Sequence, residues 1–223
     1  MITYEMMKNN PDISTYITKA DESLRAKGYT EHSFAHVTRV AHTAEYILRT
    51  LGYSERDAEL AKIAAHLHDI GNLVNRDDHA QSGAVMAFRI LDKMGATAEE
   101  IAQIVSAIGN HDEGTAEPVN PIAAALILAD KTDVRRSRVR NKEAMLFDIH
   151  DRVNFSVEHS QTIISEDHSV IELNLGIDRQ YCSVMDYFEI FLSRMVLCRQ
   201  AAEHLDHRGL QGDPGVAAGG LHG

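Results

Sequence analysis

Residues 64–73 read AAHLHDIGNL. His68 and Asp69 stand side by side at the end of a run otherwise built for a core, and Gly71 follows as a helix breaker. The run starts at Ser54, an N-cap with Asp57 in the capping-box position, so a helix is predicted from Ser54 to about Asp69, ended by Gly71. Neighbouring residues on a helix lie about 100° apart, which lets His68 and Asp69 share one inward pocket at its C-terminus. His66, about 200° from His68 around the same helix, is expected to point elsewhere. The partial negative charge of a helix C-terminus favours a cation at that pocket.

Helical spacing continues on both sides. Ile13, Tyr16, Ile17 and Leu24 mark a helix over residues 12–27 that ends near Gly28. A second, from His32 to Leu51, is expected to bury Phe34, Val37, Val40, Ala41, Ala44 and Ile47 before Gly52 closes it. Downstream come an amphipathic helix over residues 79–94, a Thr97-capped helix carrying Ile101, Ile104, Val105 and Ile108, and NPIAAALILADKTDV, opened by Asn120 and Pro121. Six helices by residue 133 predict an all-α bundle. The basic segment RRSRVRNKE leads into a further helical stretch around residues 142–151.

After residue 154 the period changes from helical to alternating. SVEHSQTIIS and SVIELNLGI flank EDH and predict a β-hairpin with Ile171, Leu173, Leu175 and Ile177 on one face. A long final helix follows from about Asp178 to His204, with Val184, Tyr187, Phe188, Phe191, Met195 and Leu197 as its core positions. The last stretch, GLQGDPGVAAGGLHG, has the composition of a disordered tail. The expected division is a helical domain over residues 1–153, a hairpin plus helix packed on it over residues 154–206, and a flexible tail over residues 207–223.

The net charge of −11 argues against binding a nucleic-acid polymer or an anionic membrane, both of which need an excess of Lys and Arg. No apolar run approaches the roughly 20 residues of a membrane span. MITYEMMKNNPD lacks the pattern of a secretory signal, so a cytoplasmic location is expected. Cys182 and Cys198 lie far apart, outside any CxxC spacing, and are read as reduced thiols in a helix.

Two further residues extend the His68-Asp69 pair. His36 lies on the buried edge of its helix, and Asp130 ends IAAALILAD, where an unpartnered carboxylate would be costly to bury. A cation shared by one His, a His-Asp pair and a distant Asp removes that cost. The set His36, His68-Asp69 in HLHDIG and Asp130 in LADK resembles the HD-domain superfamily of metal-dependent phosphohydrolases, and covers roughly residues 30–135. His79 in HAQSGAVMA and His111 in GNHDEG resemble the extra ligands of its dinuclear branches, among them the HD-GYP phosphodiesterases and the diadenosine tetraphosphate hydrolases. NHDEG departs from the double His of HD-GYP proteins, and no GYP tripeptide occurs, whereas LADKTDVRR is closer to the diadenosine tetraphosphate hydrolase branch and to uncharacterised small HD proteins.

The resemblance implies one or two divalent transition metals, drawn from iron, manganese, nickel, cobalt and zinc, that activate water to cleave a small phosphorylated substrate. Asp69 is the natural bridge, since a carboxylate offers one oxygen to each ion. Lys131, Arg135 and Arg136 are the candidates for holding phosphoryl oxygens, Arg39 forms a buried ion pair as the alternative, and His32, one turn before His36, is a candidate for proton transfer. Competing readings are an HD-fold diiron oxygenase and a metal-binding assembly module, for which an uncovered hairpin face predicts a homodimer.

Overall fold

The computed structural model describes residues 1–140 and 149–206. The tail expected over residues 207–223, and residues 142–148 of the helix expected after the basic segment, lie outside the described residues.

Seven helices precede residue 132, one more than the sequence predicts. They are α1 (Tyr4–Lys8), α2 (Pro11–Ala26), α3 (Phe34–Thr50), α4 (Glu55–Leu67), α5 (His79–Lys93), α6 (Ala98–Gly109) and α7 (Pro121–Lys131). The extra one, α1, is too short to show a period; Thr3 caps it and Tyr4 and Met7 anchor it in the core. The caps read from the sequence form: Ser54 Oγ accepts from the Asp57 amide at 3.0 Å, and Asn120 Oδ1 from the Ala123 amide at 2.7 Å. Gly52 sits at φ 79°, where α3 closes.

The bundle is built around α7. Every residue from Ile122 to Ala129 is buried, and a helix apolar all round belongs in the middle of its neighbours. It packs against α3, α4, α6 and the last helix. Its alanines let those helices approach closely, which is how side chains from distant parts of the chain reach one point.

Two expectations change in the middle of the chain. Phe34 is the first residue of α3 and is 41% exposed, because the helix starts one turn before the apolar stripe reaches the core. Gly71 does not end α4. That helix stops at Leu67, and Gly71 lies inside a short 3-10 turn, Ile70–Leu73. Its lack of a side chain matters because the backbone of α5 lies against it: a Cβ would run into the His79 carbonyl oxygen and the Gly83 amide.

Beyond residue 148 come α8 (Ile149–Ser156), an antiparallel hairpin of β1 (Val157–Ile164) and β2 (Ile171–Ile177), and α9 (Val184–Asp206). The hairpin is pinned to the bundle where Ser160 accepts from Arg39 at 2.6 Å and the Ile164 amide meets Tyr46 Oη at 3.3 Å. The final helix starts later than the sequence suggests, so Val184 is its exposed first residue rather than a core position, and Cys182 lies before it. Non-helical backbone at Phe191 divides α9. Tyr187 and Phe191 join Val134, Val153 and Val157 in a small second cluster, while Leu197, Ala201 and Leu205 enter the main core. Among the described residues no helix is long and apolar enough to cross a membrane, and both cysteines are free.

Candidate metal centre

Five helices each deliver side chains to one point beside α7. His36 comes from the first turn of α3, His68 and Asp69 from the end of α4, His79 from the start of α5, His111 from just past α6, and Asp130 from the last turn of α7. His36 Nε2 lies 3.2 Å from Asp130 Oδ1 and 3.6 Å from Asp69 Oδ2. His68 Nε2 lies 3.1 Å from Asp69 Oδ2 and 3.7 Å from Asp130 Oδ1. The other oxygen of Asp69, Oδ1, faces His79 Nε2 at 3.5 Å and His111 Nε2 at 3.9 Å. Asp69 therefore stands between two pairs of imidazoles and presents one oxygen to each.

All four imidazoles are oriented in the same sense. Nδ1 of His36 donates to Asp133 Oδ2 at 2.8 Å, that of His68 to the Ala65 carbonyl at 2.7 Å, that of His79 to the Arg76 carbonyl at 3.0 Å, and that of His111 to the Ile108 carbonyl at 2.6 Å. With Nδ1 protonated and engaged, a neutral ring turns its Nε2 lone pair inward, the tautomer of a metal-ligating histidine. Three of the inward atoms, His36 Nε2, His68 Nε2 and Asp69 Oδ2, are buried without a hydrogen-bond partner. Buried acceptors left in this state are costly, and a cation shared among them satisfies all three. The donor set of imidazole nitrogens and carboxylate oxygens thus fits a divalent transition metal.

The electrostatics agree with the geometry. Burial opposes charge on every member of the cluster, yet Lys131 and the imidazoles hold Asp130 well below the usual carboxylate range, and His68 and His36 do the same for Asp69. Burial also opposes a proton on His68, but Asp69 and Asp130 outweigh it and lift that ring to about 10, so a proton and a metal ion compete for its Nε2. A field that retains a proton so strongly attracts any cation. His111, further from the carboxylates, is depressed well below the ordinary imidazole range, chiefly by burial.

Residues 33–156 match the HD domain family, over more than half of the chain. The chain belongs to this family. It is 24% identical over 228 residues to uncharacterized protein MJ1020 of Methanocaldococcus jannaschii, with 86% of this chain and 87% of that protein covered. It is 30% identical over 114 residues to ribonuclease Y of Bacillus pumilus, a match that takes in 51% of this chain and 20% of the ribonuclease. A solved structure described as a predicted HD superfamily hydrolase from an uncultured Thermotogales bacterium aligns with a TM-score of 0.45 and 26% identity, covering 59% of this chain and 73% of that one.

The remaining candidates divide into those at the cluster and those beside it. Lys131 is buried, with Nζ 2.7 Å from Asp130 Oδ2. His32 stacks edge-on against His36 with ring centres 5.4 Å apart, and its Nδ1 donates to the Thr30 carbonyl at 2.8 Å. The two arginines are not brought to the ligand atoms. Arg135 binds Asp133 at 2.9 Å and Glu31 at 3.4 Å, one layer behind His36. Arg136 is turned toward the hairpin, where it donates to the Phe155 carbonyl at 2.6 Å and to Asp178 at 2.9 Å. His66 points away as expected and packs against Tyr4 at 5.4 Å.

The sequence reading missed three residues of the site. Asp133, 2% exposed, accepts from His36 and is bound by Arg39 at 3.1 Å and Arg135. Asn72 donates to Asp69 Oδ1 at 3.0 Å and fixes its rotation. Arg76 reaches to 3.3 Å from His79 Nε2. The signals available were weak: Asp133 is one turn past Asp130, and Asn72 three residues past Asp69.

Proposed function

We propose that this chain is a metal-dependent phosphohydrolase that cleaves a phosphoester or phosphoanhydride bond in a small phosphorylated substrate, with a nucleotide as the substrate class. The observation that carries this reading is the inward convergence of four Nε2 lone pairs on the two oxygens of Asp69, with Asp130 closing one side. His36, His68, Asp69 and Asp130 would hold one ion, and Asp69, His79 and His111 a second. When bound, such an ion supplies Lewis acidity and lowers the pKa of water toward neutrality.

The chain's own groups serve the rest of the reaction. Lys131 keeps Asp130 ionised and places a positive charge where phosphoryl oxygens would gather. Burial keeps His32 neutral, well below the ordinary imidazole range, in spite of the nearby Asp69. Its Nδ1 is engaged by the Thr30 carbonyl, so a proton relayed by this ring would pass through Nε2, against the burial that disfavours the charged form. A ribonuclease cleaves phosphodiester bonds, so the likeness to ribonuclease Y supports phosphoryl chemistry. The net charge of −11 favours a small substrate over a polymer.

Metal analysis of freshly purified protein and a phosphate-release screen across nucleotides, with and without chelator, test the reading. Asp69→Ala is expected to abolish both metal content and turnover. Oxygen consumption without phosphate release would favour the oxygenase instead.

A further inference from the structure

The two half-sites differ in one respect that no ligand set explains. His36 Nε2 and His68 Nε2 have no hydrogen-bond donor, whereas His79 Nε2 has one: the guanidinium of Arg76, with Nη1 at 3.3 Å. Because His79 Nδ1 donates to the carbonyl of the same Arg76, Nε2 must be the acceptor, and Arg76 aims an N–H at it. Nη2 of Arg76 lies 3.8 Å from Asp112 Oδ1, and His79 Nε2 lies 3.8 Å from the same oxygen. The guanidinium thus takes up the lone pair that a second ion would use, and lies beside the Asp112 carboxylate.

We infer that Arg76 competes with the second metal ion for His79, so that the half-site of Asp69, His79 and His111 binds its ion weakly and exchangeably while that of His36, His68, Asp69 and Asp130 binds tightly. The physical reason is twofold. One lone pair cannot serve an N–H donor and a metal together, and a positive charge a few ångströms from an incoming dication repels it. Arg76 has somewhere to go when displaced: its side chain is about one third exposed, at 31%, and its guanidinium already lies 5.8 Å from the Tyr29 ring centre. The inference rests on reading the six inward residues as metal ligands.

Calorimetric titration of the metal-stripped full-length protein with Mn²⁺ tests it. The wild type is expected to bind one ion at least tenfold more tightly than a second. Arg76→Met, which keeps the length and removes the charge, should tighten the second ion at least tenfold and leave the first within twofold. Arg76→Lys, which keeps the charge, should leave the second ion weak. Two equally tight ions in the wild type, or a second affinity that Arg76→Met does not change, would overturn the inference while leaving the ligand assignment intact. Absence of Mn²⁺ binding in wild type and variants alike would instead overturn the ligand assignment, and the inference with it. Arg76 lies on a partly exposed turn outside the core, so circular dichroism is expected to show both variants folded.

Discussion

Asp133 never meets the inward face of the cluster, yet it sets the orientation and basicity of His36. Its carboxylate is 2% exposed, accepts from His36 Nδ1, and is surrounded by the guanidinium groups of Arg39, Arg135 and Arg138. Asp133→Asn keeps an acceptor and removes the charge, so His36 becomes a poorer donor to metal; affinity for the first ion should fall by about 10–100-fold in a Mn²⁺ titration. His66 is the contrasting case. Both of its ring nitrogens are buried without partners, and burial depresses it from 6.5 to about 4. Replacing a buried, unpaired polar group by an apolar one of similar size removes a desolvation cost, so His66→Leu should leave metal content unchanged and melt at or above the wild-type temperature. The sign of the pH effect follows: the unfolded chain takes up a proton near pH 6.5 that the folded ring refuses until about pH 4, so the wild type loses stability across that window as pH falls. The leucine variant should lack this loss, visible as a melting-temperature difference between the two proteins that widens from pH 7 to pH 4.

Two glycines bring α4 and α5 into register and thereby set the distance between His68 and His79. A methyl group at Gly71 meets the backbone carbonyl of His79 and the amide of Gly83, neither of which can rotate away. Gly71→Ala should therefore cost about 3 kcal/mol or more in denaturant unfolding and lower metal content as well. At Gly83 the added carbon would stand 3.2 Å from the His68 carbonyl oxygen and 3.3 Å from the Gly71 amide, tight contacts that small shifts relieve. Gly83 is inside α5, where alanine gains up to about 1 kcal/mol of helix propensity, so Gly83→Ala should change stability by less than about 1 kcal/mol. This pair also shows what local pattern can and cannot reveal. Ser54, Thr97, Asn120 and Pro121 announced their helices because a cap is a contact within one turn, and the hairpin announced itself by alternation. Gly71 was legible as an interruption but not as a packing requirement, since its partner lies on the next helix. Asp133 was illegible for the same reason, its histidine being 97 residues away. His36, His68, Asp69 and Asp130 stood out because polar groups on apolar helix faces need a partner, whatever supplies it.

At the scale of the molecule, the inward residues of the cluster come from five helices, so binding of an ion there and integrity of the bundle are linked. An ion that binds the folded chain and not the unfolded one stabilises it by RT ln(1 + [L]/Kd), about 2.7 kcal/mol at a hundred times Kd. For a chain of this length about 1 kcal/mol moves the melting temperature by roughly 2–4 °C. Stripping a near-saturated protein with chelator should therefore lower its melting temperature by roughly 5–10 °C, and returning Mn²⁺ should restore it. The size of the shift should follow the logarithm of free metal concentration, because the linkage is mass action and not a change of fold. Asp69→Ala provides the discriminating control, since it removes the residue that faces both half-sites: its melting temperature should be indifferent to chelator. A chelator-sensitive transition that persists in Asp69→Ala would mean that the stabilising ion sits elsewhere, and that the convergence of helices on Asp69 serves packing alone.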